Sequence, residues 1–422
     1  LPVSVRSGGH SGCGSSLRSG TVVIDLGGLN KLEYNGESTN VTVGPGTLLG
    51  SINIALMRKG RCVSHGIAPP TGIGGLALHG GIGSLTHKVG SAADNIVSAT
   101  VVTAAGEVKE LDFDSTGDDK ELFFAIRGAA GSIAIVTEFT MRTYPNDILT
   151  GGMWLMADDE NFSNARKLMK LGRDIIEKQE AEGTRSLFGA VFSATFPPAP
   201  HVPEQFRGKP ACMCLLGTWG AGPEADALIQ QFVIGDIIVG KPPAPMPYSI
   251  NNQLLRLLLG GLPEFGNYFA GGLSDFGLTD EAIDAQLDAW KAVPAPLRAA
   301  SFTALEFHGG SAGAKHGASL QKNGNDHAVS HLRNIGYSHV FLLYYPPTEE
   351  NFAAAQKASR ACRAKFGKFF TKKGSYANYH SAPETDEIKA EFAASSFGGN
   401  KARVEAAKKI FDPTNFFSRS VS

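Results

Sequence analysis

Three glycine-rich stretches in the first third of the chain hold the residue types best suited to chemistry: RSGGHSG at 6–12, GIAPPTGIGGLALHGGIGSL at 66–85 and RGAAGS at 127–132. Without a Cβ the backbone can approach a ligand closely, and successive N–H groups can converge on phosphate oxygens. A histidine inside such a loop, His10, fits a phosphate cradle, a metal site or a plain turn, and its neighbours alone do not choose among them. Three loops together suggest one large cofactor with a pyrophosphate. GIGGLALHGGIG superficially matches the G-x-G-x-x-G dinucleotide fingerprint. That fingerprint needs a preceding strand, a following helix and an acidic residue about 20 positions on, inside a βαβ unit. No such unit surrounds it, which demotes a nicotinamide cofactor.

The elements that must position these loops fall into two patterns. Up to about residue 148, short β segments (VSV, TVVIDL, NVTVG, NIVSATVVTAAGEV, IAIVTEFTM) alternate with glycine turns. DLGGLNKLEYN and TAAGEVKEL read as hairpins. One helix, TLLGSINIALMRKG, has apolar residues at helical spacing and a glycine past its end. Beyond NDILTGGMW, amphipathic helices are expected near 158–181, 222–234, 280–292, 350–366 and 400–410. They alternate with strands SLFGAVFSATF, ACMCLLGTW, SFTALEFHG and YSHVFLLYYP, while FPPAPHVP and GKPPAPMPYS read as surface loops. The expected class is α+β, its second part an antiparallel sheet covered by helices.

At 422 residues and 42% hydrophobic content, the chain exceeds the ~250–300 residues at which one core usually splits. Lys+Arg at 39 against Asp+Glu at 40 gives no electrostatic reason to expect nucleic acid or an anionic membrane, so a small molecule is the expected partner. No apolar run reaches the ~18 residues of a membrane helix. Five cysteines (Cys13, Cys62, Cys212, Cys214, Cys362) are too sparse for a disulfide framework. The C-x-C pair 212/214 reads as buried thiols, and no C-x-x-C metal spacing occurs. The opening strand starts abruptly, so the chain is expected to begin partway into a domain, and compartment stays open. Sequons at Asn40 and Asn161 would matter only in a secreted protein.

VSVRSGGHS, then G-x-x-P-x-x-G-x-G-G-L-x-L-x-G-G-x-G followed by KVGSAADNIVSATVVTAAGEV, then LFFAIRGAAGSIAIVTEF, ANY and FDPTNFF, occur in one order along nearly the whole chain. Together they closely resemble FAD-linked oxidases of the vanillyl-alcohol oxidase (PCMH-type) fold, best the berberine-bridge-enzyme-like group. That resemblance implies an FAD-binding domain at 1–148, a substrate domain at 149–374 and a berberine-type segment at 375–422 completing the first. It implies a covalent bond from His10 to the flavin, with Arg6, Ser7, Gly8, Gly9 and Ser11 around the pyrophosphate. Further cofactor contacts are expected from Gly66, Thr71, Gly72, Gly75, Gly80, Gly81, Gly83, Asp94, Asn95, Ile135, Val136 and Asn378. Many members bind FAD a second time through a cysteine in G-x-C-P-x-x-G. Ala68 stands at that place, and Cys62 is out of register, so a single anchor is expected, as in the nicotine-oxidase branch. Ser132-Ile133-Ala134 departs from the Asn-Phe-Gly common in relatives.

The resemblance also supplies two catalytic candidates, Glu306, two residues before a His-Gly-Gly that matches an aromatic-Gly-Gly, and Tyr379 of the Asn-Tyr motif. Local pattern agrees for the first: SFTALEFHGG alternates as a strand, so Glu306 and His308 project from one face. The implied activity is hydride transfer from a small-molecule C–OH or C–N group to FAD, with O2 as the expected second substrate and H2O2 as product. Oxidative ring closure of a secondary metabolite and a catalytically silent flavin-binding protein are the alternatives.

Overall fold

The computed structural model describes residues 2–12, 14–34, 36, 38–197, 200–255, 266–299, 301–346, 348–380 and 386–417. Cys13 lies outside the described residues. Near the start, Val3–Arg6 and Val22–Asp25 pair in parallel. A separate antiparallel sheet runs in the order Leu32–Glu33, Asn40–Val43, Ala134–Arg142, Ile96–Thr103, Val108–Asp112. The TAAGEVKEL hairpin is present, Val102 pairing with Val108. The expected DLGGLNKLEYN hairpin is not. The backbone turns at Leu26–Leu29, where Asp25 accepts from Gly27 N and Leu29 N reaches Leu26 O. Leu32–Glu33 then pairs forward with Thr42–Val43.

One hydrophobic core joins this sheet to the helices Leu49–Met57 and Gly117–Ala129. Tyr376, Phe397, Val404, Ala407 and Phe411 belong to the same core, and the helix Lys401–Phe411 packs on Gly117–Ala129. The stretch RGAAGS is therefore not an open loop. It is the kinked end of that helix, where Arg127 and Gly128 leave helical dihedrals, followed by a 3₁₀ turn at Ala130–Ser132.

The second sheet is antiparallel, in the order Ile237–Gly240, Ile148–Ala157, Pro210–Trp219, Leu187–Thr195, Phe302–Phe307, Tyr337–Tyr345, Gly266–Ser274, with Ala244–Pro247 also on Ile148–Ala157. Its period of two sorts side chains cleanly. Trp154, Val191, Cys214, Leu305 and Phe341 face one core beneath the helices Ser163–Glu182, Asp280–Lys291 and Glu349–Phe366. Leu155, Phe192, Met213, Ala304 and Val340 face a smaller one on the other side. Two of the covering helices start on hydroxyl caps, Thr279 accepting from Ala282 N and Thr348 from Asn351 N, with acidic residues in the first turn. Cys212 and Cys214 are buried together in the helix-side core.

Candidate active site

An elongated cleft of about 1800 Å3, its open mouth included, separates the loop-rich region from the second face of the large sheet. Ser7, Gly8, Gly9, His10 and Ser11 line one part of it, with Gly66, Thr71, Gly72 and Gly75 beside them and Ile135 and Val136 nearby. Glu306, His308, Asn378 and Tyr379 line the sheet side.

The first two glycine loops meet backbone to backbone. A Cβ on Gly8 would run into Gly72, and one on Gly72 would overlap Ser7 Oγ and Gly8 N. Only two glycines permit that approach. Ser7 Oγ, donating to Pro45 O at 2.6 Å, ties the junction to the next turn. At Gly75 a Cβ would meet no atom, so this cleft-lining backbone is bare toward the cleft. These are the properties a dinucleotide's diphosphate requires of its cradle.

His10 is exposed, but the space it is exposed to is the cleft, whose walls surround it. That enclosure holds its imidazole below the usual histidine range, which favours the neutral ring with a free nitrogen lone pair.

On the sheet side, Phe302–Phe307 lies between Leu187–Thr195 and Tyr337–Tyr345, and its alternation places Glu306 in the cleft wall, 6% exposed. Tyr379 arrives from elsewhere, on the 3₁₀ turn Ala377–Tyr379. Its hydroxyl donates to Glu306 Oε2 at 2.5 Å. Burial, reinforced by the Glu306 charge, pushes this phenol well above its ordinary range, so its resting form is protonated. His308 Nε2 stands 3.7 Å from the same carboxylate oxygen.

Six of the expected cofactor residues do not line the cleft. Arg6 turns its guanidinium to Asp25 at 2.5 Å on the surface. Gly80, Gly81 and Gly83 pack against Leu332, Ala92 and the His65 carbonyl respectively, serving close packing behind the loop. Asp94 is fully buried, accepting from His327 Nε2 at 2.8 Å and Arg333 Nε at 2.5 Å. Burial alone would raise its carboxyl, and these partners more than reverse that. Asn95 donates to Val89 O and Ser91 O and accepts from the Tyr144 hydroxyl. Cys62 is also away from the cleft, its Sγ 3.3 Å from Pro145 O and its thiol pushed up to about 12 by burial, whereas Ala68 lines the cleft.

Sequence reasoning missed several lining residues. Tyr376 packs edge-on against Tyr379 and accepts from Asn378 Nδ2 at 3.0 Å. Phe192, Phe302, Val340, Leu342 and Tyr344 form the sheet-side wall. Strand alternation, extended from Glu306 to its neighbours' cross-strand partners, was the available signal.

The residues present thus suit a bound dinucleotide flavin, and the comparisons agree. The FAD binding domain family matches residues 1–112, and the berberine and berberine-like family matches 375–422. The chain carries an FAD-binding domain on a fold of the vanillyl-alcohol-oxidase type. Its C-terminal segment, 375–422, is similar to the berberine and berberine-like family. A (R)-6-hydroxynicotine oxidase from Paenarthrobacter nicotinovorans is 38% identical over 153 residues, 36% of this chain and 33% of that protein. A xylooligosaccharide oxidase from Thermothelomyces thermophilus is 38% identical over 142 residues, 33% of this chain and 28% of that protein. The aligned stretch therefore spans about a third of these curated relatives. In three dimensions the likeness extends much further. 6-Hydroxy-D-nicotine oxidase from Arthrobacter nicotinovorans superposes at a TM-score of 0.74 and 24% identity, over 100% of this chain and 86% of that one. A berberine bridge enzyme variant superposes at 0.78 and 19%, over 100% and 84%.

Proposed function

We propose that the protein is an FAD-dependent oxidase of a small-molecule alcohol or amine, with FAD joined through a single covalent bond to His10. The observation that carries the reading is the cleft itself, which has a glycine cradle and an enclosed neutral imidazole in one part and a hydrogen-bonded Tyr379–Glu306 pair on the opposite wall. Bound FAD would supply the acceptor for a hydride and pass two electrons to O2, giving H2O2. Residues Ser7–Ser11 and Thr71–Gly75 would hold the diphosphate, and Asn378 would contact the ring system. Residues 1–148 and 375–422 would form the cofactor domain, and 149–374 the substrate domain.

The chain's own part in the chemistry is to remove a proton as the substrate C–H bond gives up its hydride. Tyr379 is protonated at rest, so its oxygen can accept the substrate's proton only as its own moves along the 2.5 Å bond to Glu306. The pair then acts as one base, with Glu306 the final acceptor. Ala68, standing where a second anchor would be, is the reason for a single bond.

The test is acid precipitation of purified protein followed by peptide mass analysis. Wild type is expected to stay yellow, with the flavin mass on the peptide holding His10, while His10→Ala releases its flavin on denaturation. Wild-type protein that yields a colourless precipitate and free FAD would rule out the covalent bond. Protein that never carries flavin would rule out the function.

A further inference from the structure

Resting on the reading above, we infer that the substrate is a compact, largely apolar alcohol or amine with one oxidisable group on a hydrocarbon or aromatic frame, rather than an oligosaccharide. The strand register carries the argument. Phe192 stands opposite Ala304, which stands opposite Val340. One row away Phe302 faces Leu342. In the other direction the row is Ala190, Glu306 and Ser338. A molecule lying along this face meets Phe192, Phe302, Val340 and Leu342 over its middle, Glu306 with Tyr379 at one end and Tyr344 at the other. The Phe192 and Phe302 rings pack edge-to-face at 5.3 Å, so the apolar surface is preformed rather than assembled around a ligand.

The distribution of polar groups decides between substrate classes. Among the described residues of this wall, no lysine or arginine appears, and Glu306 is its one carboxylate. That suits a neutral or protonated substrate and disfavours an anionic one. A sugar carries hydroxyls around its whole ring, and those pressed against Phe302, Leu342 and Val340 would lose water without gaining a partner. Each such hydroxyl costs about tenfold in affinity. A single hydroxyl or amine loses nothing by this, because its one polar group sits at the Tyr379–Glu306 end. The step stays balanced for either class: the C–H hydride goes to the flavin, the O–H or N–H proton to the Tyr379–Glu306 pair, and O2 takes up the two electrons.

Flavin-loaded protein, its cofactor content fixed first by absorbance, is mixed without oxygen with two panels while flavin bleaching is followed. One panel holds benzyl alcohol, cyclohexanol and N-methylbenzylamine, the other glucose, cellobiose and xylobiose. Parallel calorimetric titrations use xylobiose and 2-phenyl-2-propanol, the latter having no hydrogen on its carbinol carbon and so binding without reacting. The apolar panel is expected to bleach the flavin at least tenfold faster. Phe302→Asn and Leu342→Gln are expected to weaken 2-phenyl-2-propanol about tenfold or more at unchanged flavin content. Faster bleaching by cellobiose or xylobiose overturns the inference and leaves the oxidase reading intact. If neither panel bleaches, the titrations decide, and tighter binding of xylobiose than of 2-phenyl-2-propanol overturns it. Protein that purifies without flavin refutes the oxidase reading, and the inference with it.

Discussion

Tyr379 donates to Glu306 along a 2.5 Å bond, and in the proposed reaction neither acts as the base without the other. Tyr379→Phe and Glu306→Gln are each expected to lower kcat by roughly 10²–10⁴, the usual worth of a positioned acid–base group. The double variant is expected to be little worse than the more damaged single one, because groups acting as a unit are not additive. Steady-state rates at equal flavin content check both statements, and multiplied single effects in the double variant would show independent roles. Half of this pair was legible in the sequence. The alternation of SFTALEFHGG puts Glu306 and His308 on one face by period alone. Tyr379 is 73 residues away on a single 3₁₀ turn, where no periodicity exists, so only motif resemblance pointed to it. Asp94 and Asn95 misled for a related reason. They came from the motif resemblance, and nothing local records that Arg333 and His327 arrive to consume Asp94.

Strands and loops hold this pair in place through their far sides. Behind the strand Phe302–Phe307, Gln286 Nε2 donates to Thr303 Oγ1 and Ala304 O at 2.9 and 2.8 Å. Its Oε1 lies 2.9 Å from His339 Nδ1, and Ser274 Oγ lies 2.7 Å from His339 Nε2. All of these side chains are buried. Gln286→Leu removes three buried hydrogen bonds and leaves His339 Nδ1 without this partner, so a loss of about 3 kcal/mol is expected, read as a lower urea midpoint at unchanged slope. The glycine junction is less forgiving. Gly72→Ala places a methyl inside Ser7 Oγ and Gly8 N, and the variant is expected to purify without flavin, which absorbance reports directly. The strands Ile96–Thr103 and Ala134–Arg142 were readable because one of their faces is buried and the other is not, while those of the large sheet, buried on both faces, read as apolar β-rich runs between turns. The helix Gly117–Ala129 was not, since Leu122 to Ile126 are all buried and five consecutive inward residues carry no period to detect.

Across the whole molecule, buried polar groups join the two halves. Asp94, from the loop-rich half, holds His327 and Arg333, while Arg127 donates to Asn325 O and Asp326 O at 2.9 and 2.6 Å. His327 is itself pushed down by burial, so Arg333 supplies the lasting charge at neutral pH and His327 donates as a neutral ring. Asp94→Asn leaves Arg333 short of its buried counter-charge and is expected to cost roughly 3–5 kcal/mol, measured by chemical denaturation. Two other buried histidines add to the loss of stability in acid. Burial lowers His65 to about 4 and His339 to about 3, against about 6.5 in the unfolded chain. Folding therefore favours their neutral forms. Their stabilising contribution is complete above pH 6.5 and is lost as pH falls toward those lowered values. From pH 6.5 to 5 each is expected to remove on the order of 2 kcal/mol, and urea midpoints at the two pH values test the sign.

The contribution of Tyr376 to Tyr379 has a further consequence in the order of synthesis. A ribosome makes these wall residues more than two hundred and fifty positions after the glycine cradle, and the helix Lys401–Phe411 that closes the first core later still. A nascent chain short of them presents His10 in a half-built, water-filled trough. With His10 as the proposed anchor, loading of the cofactor is expected to follow translation rather than accompany it, and an arrested chain ending before Tyr376 is expected to emerge from the ribosome without colour.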